Sequence, residues 1–415
     1  MTFERQRGSP LTKDDFAMHL IALYEQTDMG DSDAGTVVAE SGSSDISLAG
    51  SDPWRVSSRR LAGGVSEGVH VVELDNGHMS VSVLPTRGMG VWRANCEDIR
   101  LGWDSPVGRP VHPQYVNAAA RNGLGWLDGF NELIARCGLA FNGPPGIDDG
   151  AKSPVESQLT LHGRIANIPA HSVEVLLDDS SEPGTIGVRG VVEEATLFGP
   201  RLRMTSTITT RCGSNSFTVS DEITNLGASS TELQLLYHTN IGPPLLGPRA
   251  SVHCAANTVV PRDARAAEGI DTFSTYLGPT PGYAEQVYFF DLIPDAQNET
   301  FVLLKDADGE RGVTLHFDRD QLPCFTLWKC TQPEADGYVT GLEPATNYPN
   351  FKWFEREQGR VVSLDPGETY HAEIRLQVQT SMKGITALQE RISALQIRSG
   401  PDVRRQPTLP YCPAN

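Results

Sequence analysis

The chain reads as an all-β protein, a large antiparallel β-sandwich with short helices at its N-terminal and C-terminal ends. Short runs of alternating apolar and polar residues recur along most of its length. Turn residues separate them, and 40 Gly and 28 Pro are scattered through the 415 positions. That pattern suits many strands and turns better than long helices. Neither a βαβ alternation nor an internal repeat is visible, so a parallel sheet is not expected.

The elements follow in order. Thr12 is placed to cap a helix over 12–26, with Asp15 three positions on and Phe16, Leu20 and Leu23 on one face. Residues 29–52, rich in Gly, Ser and Asp, read as a linker or surface loop. Residues 1–53 therefore form an N-terminal extension, and the sandwich is expected over 54–381. Its first hairpin is HVVELDNGHMSVSVLP (70–85), two alternating runs around Asn76-Gly77, a dipeptide favoured in two-residue turns. Strands are then expected at 172–178, 185–198, 201–211, 216–226 and 231–238. Others follow at 287–293, 300–306, 312–318, 325–331, 338–343, 360–365 and 369–380. One helix is expected over 127–139, ended by Gly138. Another, over 384–398, aligns Ile385, Leu388, Ile392 and Leu395 within a C-terminal segment, 382–415, whose tail after Gly400 reads as irregular.

With 39% hydrophobic residues the chain can bury a core. A net charge of −18, from 52 acidic and 34 basic residues, argues against a nucleic-acid partner, which needs a basic patch. Seven dispersed cysteines without a CxxC pair read as reduced thiols. No secretory apolar stretch opens the chain, and no run long enough for a membrane helix occurs. The expectation is a cytoplasmic protein without a membrane partner.

Three stretches carry candidate chemistry: LTLHGRIANIPAH (159–171), LLYHTNIGPPLL (235–246) and YVTGLEPATNYPN (338–350). They place His162, His238 and Glu343 in strand-like, turn-bounded contexts far apart in sequence. Converging in one cleft, two imidazoles and a carboxylate can exchange protons near neutral pH. The other eight histidines lack a comparable context and read as structural. Flanked by Leu342 and Pro344, the Glu343 carboxyl is expected to be partly desolvated, which raises its pKa. A strand-end glutamate satisfied by an arginine fits its local sequence equally well. Arg87, in the turn Pro85-Thr86-Arg87-Gly88, is a candidate hydroxyl or carboxylate contact, or a solvated turn arginine. Arg164, Asn240, Glu285 and Lys329 are further candidates to face a substrate. Trp126 and Trp328 suit either a sugar-stacking role or the core.

These three stretches resemble the signature segments of the aldose 1-epimerase (galactose mutarotase) superfamily, in the same order. VLPTRGMGV (83–91), LGWDSP (101–106), ARCGL (135–139), LHGRIANIPA (161–170), LFGPRL (197–202), YHTNIGPPLL (237–246) and GLEPATNYPN (341–350) resemble, more narrowly, an uncharacterised branch of it. The resemblance spans about residues 55–380. It implies a supersandwich with a carbohydrate bound across a concave sheet and no cofactor. Glu343 would take the proton of the anomeric hydroxyl, His238 would protonate the ring oxygen, and His162 would hydrogen-bond the developing charge. Glu285 falls where the family usually has a further acidic sugar ligand. Asn131 and Glu132 depart from the family's arginine-containing segment.

The residues keep two other readings open. Two His and a carboxylate can hold a divalent metal, giving a lyase or carbon epimerase acting on a keto-sugar or uronate. A carbohydrate-binding protein without catalysis is the third reading.

Overall fold

Alternating side chains set the architecture. Along Arg201–Arg211 and Ser216–Asn225, Leu202, Met204, Ile208, Val219 and Ile223 turn inward while Thr205, Thr207 and Glu222 turn outward. The computed structural model describes residues 18–24, 36–42, 48, 53–396 and 400–413. Among these, two large sheets of nine and thirteen strands face each other. Nearly all pairings are antiparallel, and one continuous apolar core fills the space between the sheets. The chain thus forms the expected large antiparallel sandwich. Among the described residues, no helix is long and apolar enough to cross a membrane.

The first hairpin forms as read, His70–Asp75 against Met79–Leu84, with Gly77 at φ 91° in the turn. The C-terminal helix covers Met382–Leu395, and Ser381 Oγ accepts from the Gly384 amide as its N-cap. Ile385 and Ile392 pack on Phe301 and Leu303, on the side of the nine-stranded sheet away from the sandwich core.

Four readings change. The expected N-terminal helix is a strand where the structure describes it: Met18–Tyr24 pairs with Ser172–Asp178 at the edge of the nine-stranded sheet. Residues 12–17 and 25–26 lie outside the described residues. Ile21 and Leu23, two residues apart, follow a strand's period of two and pack against the core, while Leu20 of the expected helical face is exposed. An open sheet edge supplies hydrogen bonds and apolar contact together, so tertiary pairing wins over local propensity. Within the expected linker, Thr36–Glu40 is likewise a strand, paired with Arg55–Arg60. The extension expected over 1–53 therefore contributes strands to both sheets.

The expected helix over 127–139 is instead a 3-10 turn, Gly125–Gly129, and a strand, Ile134–Cys137. That strand lies beside Leu236–Ile241, and all four of its side chains are buried on two faces. A helix there would leave the neighbouring strand's backbone groups unpaired in the interior. The tail after Gly400 also departs from an irregular reading, since Asp402–Val403 pairs parallel with Ala256–Pro261.

Candidate active site

Four neighbouring strands of the thirteen-stranded sheet build the site floor: Ile134–Cys137, Leu236–Ile241, Val339–Ala345 and Cys324–Cys330. The register pairs Leu236 with Ala345 and Thr239 with Leu342, so His238 stands opposite Glu343. Thr326 pairs with Glu343 from the other side, and Ala135 pairs with His238. A single cross-strand row therefore reads Ala135, His238, Glu343, Thr326. Neighbours in such a row share one face of the sheet.

His162 reaches the same place from a loop rather than a strand. Its backbone is left-handed (φ 56°), and its amide donates to Gly143 O while its carbonyl accepts from Gly138. These bonds hold a conformation that L residues rarely adopt. The ring centroids of His162 and His238 are 5.8 Å apart, and His238 Nε2 lies 3.2 Å from Glu343 Oε1. All three side chains line one cavity of about 260 Å³.

The cavity walls are largely apolar. Phe130 and Trp328 meet His238 edge-on at 4.8 and 5.3 Å, and Trp126 packs against His162 at 4.9 Å. Leu124 and Leu127 are the exposed apolar part of the lining. Along one wall runs a polar chain. Arg262 donates to Asp263 Oδ2 and Glu285 Oε1, each at 2.9 Å, and Trp328 Nε1 donates to Glu285 Oε2 at 2.7 Å. Three buried polar atoms of the lining have no protein hydrogen-bond partner among the described residues: Trp126 Nε1, Thr326 Oγ1 and Glu343 Oε1.

Burial decides the charge states. It pushes the Glu343 carboxyl well above the usual carboxylate range, the Glu285 carboxylate adds to this, and Arg262 opposes it. Burial, then the neighbouring His162, holds His238 well below the usual imidazole range, against the hydrogen bond it donates to Asn240 Oδ1. His162 is lowered to about 4 by burial and by Arg262. Uncharged forms of all three are favoured.

Space is as tightly set as charge. A Cβ on Gly341, two residues before Glu343, would meet Glu343 Oε1 at 2.3 Å and His238 Cε1 at 3.1 Å. Only glycine leaves both side chains where they are.

The other candidates separate. Glu285 lines the cavity at its exposed edge. Asn240 is fully buried and does not line it; its amide group serves His238 instead. Arg87 is buried elsewhere, donating to Glu132 Oε1, Asn167 Oδ1 and two backbone carbonyls. Arg164 turns to Thr196 Oγ1 at 2.7 Å. Lys329 faces the opposite side of its strand from Trp328 and donates to the carbonyls of Thr272, Phe273 and Thr275. Burial lowers its pKa to about 8. None of Arg87, Arg164, Asn240 and Lys329 lines the cavity, because strand alternation or existing bonds direct each one away. Arg262 does line it and escaped the sequence reading. Its only sequence signal is a position just past the strand Ala256–Pro261. Among the described residues, no three His, Cys, Asp or Glu side chains are grouped to hold a metal ion.

The family described as a domain of unknown function (DUF4432) matches residues 66–378. No curated protein matches the chain. A solved structure from Klebsiella pneumoniae subsp. pneumoniae MGH 78578, described as a candidate aldose 1-epimerase, is 32% identical, with a TM-score of 0.87. It covers 94% of this chain and 98% of its own. Two others share the fold at low identity. A protein of Synechocystis sp. PCC 6803 is 15% identical over 77% of this chain and 99% of its own, with a TM-score of 0.50. A galactose mutarotase-like protein from Clostridium acetobutylicum is 14% identical over 77% of this chain and 97% of its own, also at 0.50.

Proposed function

The chain belongs to the DUF4432 family, a branch of the galactose mutarotase-like superfamily, and from that premise we propose that it interconverts sugar anomers by acid–base ring opening and closure. The observation that carries this reading is the His238 Nε2–Glu343 Oε1 approach of 3.2 Å inside a cavity that His162 also lines. One member of the pair takes the proton of the anomeric hydroxyl while the other delivers a proton to the ring oxygen. The C1–ring oxygen bond breaks, the open aldehyde rotates about C1–C2, and the reverse transfers close the ring on the other face. Positioned proton transfer of this kind contributes roughly 10² to 10⁴ in rate.

The cavity chemistry supports a sugar. A volume of about 260 Å³ suits a small ligand, and Trp126 and Trp328 offer apolar ring faces. Three buried polar atoms of the lining lack protein partners among the described residues, and a polyhydroxylated ring would satisfy them. Arg262, the cation of the lining, is already held by Asp263 and Glu285, which favours an uncharged sugar over a phosphorylated one.

Anomer exchange followed by NMR over a panel of aldoses tests the proposal. Wild-type protein should exceed the buffer rate for at least one sugar, and Glu343→Gln and His238→Ala should not. A wild-type protein that never exceeds buffer over a broad panel sinks it.

A further inference from the structure

The tip of the hairpin between Thr185–Ala195 and Arg201–Arg211 carries the two most exposed large apolar residues described, Leu197 at 78% and Phe198 at 79%. Both open the segment LFGPRL, which the candidate active site does not use. Phe198 is also left-handed, at φ 65°. A bulky L residue is strained there, whereas Gly or Asn takes such a turn at little cost. Within a single copy the ring buries little, so nothing in the chain offsets the strain.

The tip does not stand alone. A Cβ on Gly199 would lie 3.6 Å from Val155 Cγ2. Residues 155–158 are tied to Ile147 and Asp148, because the Asp148 amide donates to Ser157 O and Ile147 pairs with Gln158. A Cβ on Gly146 would in turn meet the Phe351 ring at 3.5 Å. Arg356, on the helix Lys352–Glu357 that also carries Trp353, donates to Asp148 Oδ2 at 2.8 Å. Leu197, Phe198, Val155, Ile147, Phe351 and Trp353 thus adjoin in one apolar patch, and each is exposed. Together they leave roughly 700 Å² open, more than the largest patch on a typical monomer and close to the roughly 800 Å² that each partner gives to a stable interface.

Knob and hollow lie side by side. Beside the base of the hairpin tip is a recess lined by Val155, Leu159, Gly163 and Pro200, with one acid, Glu156, and one base, Arg164. A two-fold axis beside the tip sets each knob against the other copy's hollow, the self-complementarity that a closed dimer requires. The same axis brings Glu156 of one copy toward Arg164 of the other.

We propose that this patch joins two copies of the chain in a two-fold dimer, with Phe198 of each seated in the recess of its partner. The proposal is independent of the epimerase reading.

Sedimentation velocity of the full chain at pH 7, over about 1 to 100 µM, tests it. Wild type should run as a two-chain species with a Kd below about 10 µM, which interfaces of this size reach. Phe198→Gly removes the ring and relieves the left-handed backbone, so it should fold and weaken association at least about tenfold. Leu197→Glu should do the same. Met382, 56% exposed and outside the patch, serves as the control, and Met382→Glu should leave Kd unchanged. Wild type that sediments as one chain at 100 µM overturns the proposal, as does a dimer that Phe198→Gly leaves intact. A single chain that pellets with phosphatidylcholine–phosphatidylglycerol vesicles also overturns it and assigns the patch to a lipid surface. If Leu197→Glu does not fold, Phe198→Gly decides.

Discussion

His238 and Glu343 face each other across two neighbouring strands, with Nε2 and Oε1 3.2 Å apart and both side chains buried. Burial shifts the two groups in opposite directions, toward a pair that is uncharged and holds one proton. Removing either partner stops that proton's transfer while leaving the apolar walls intact. Glu343→Gln and His238→Gln should each lower kcat by roughly 10² to 10⁴, with sugar affinity by tryptophan fluorescence nearly unchanged. Loss of binding with unchanged turnover would contradict this.

Gly341 is a steric gate for the same pair. A methyl group there would overlap Glu343 Oε1, 2.3 Å from the Cβ position. The carboxylate must swing off its line to His238, and misplacement of about 1 Å can cost on the order of 10² in rate. Gly341→Ala should therefore fold, with a thermal midpoint close to wild type, and lose most activity. Wild-type turnover in the folded variant would show that the pair tolerates displacement.

Beneath the site, Arg136 and Asp221 join the two sheets. Arg136 Nε and Nη2 donate to Asp221 at 2.5 and 2.9 Å, and the Tyr237 hydroxyl donates to it at 2.8 Å, all fully buried. Deleting one partner leaves an unpaired charge in the core. Asp221→Ala should cost about 3–5 kcal/mol in urea unfolding. Replacing both charged partners, Asp221→Leu with Arg136→Met, should cost less than Asp221→Ala alone. A single-variant loss below about 1 kcal/mol would mean that water reaches the pair.

His70 is a pH sensor for stability rather than for catalysis. It is buried, its Nε2 lies 2.7 Å from Ser58 Oγ, and its Nδ1 has no protein partner among the described residues. Burial, then the Arg60 charge, lowers its pKa to about 4. The unfolded value is about 6.5, so between these two pH values the unfolded chain binds more protons. Stability should fall as pH drops through that window, by about 3 kcal/mol from this group, and level off below it. His70→Gln should remove this part of the slope in urea titrations between pH 7 and 4. An unchanged slope would assign the loss to other groups.

Much of this was legible before any coordinates. The strands 172–178, 201–211 and 312–318 fall at the residues where alternation puts them. Their two faces see different environments, and a period of two records this directly. The segments at 12–26 and 127–139 misled because their apolar spacing fits two periods. Which period prevails depends on the open sheet edge or neighbouring strand waiting for them. At the site, His162, His238 and Glu343 line one cavity, whereas Arg87 and Lys329 are consumed by bonds to residues far along the chain.

By itself, then, the sequence determined the all-β class, the principal strands and the three side chains that share the cavity, because each is written in short local patterns. Only the tertiary structure decided that Arg262 joins the wall and that Asn240 serves a histidine instead of a ligand. Those outcomes depend on strand register and burial, which bring Glu132 against Asn240 and His238 against Glu343 across 108 and 105 residues. No local pattern encodes contacts at that range.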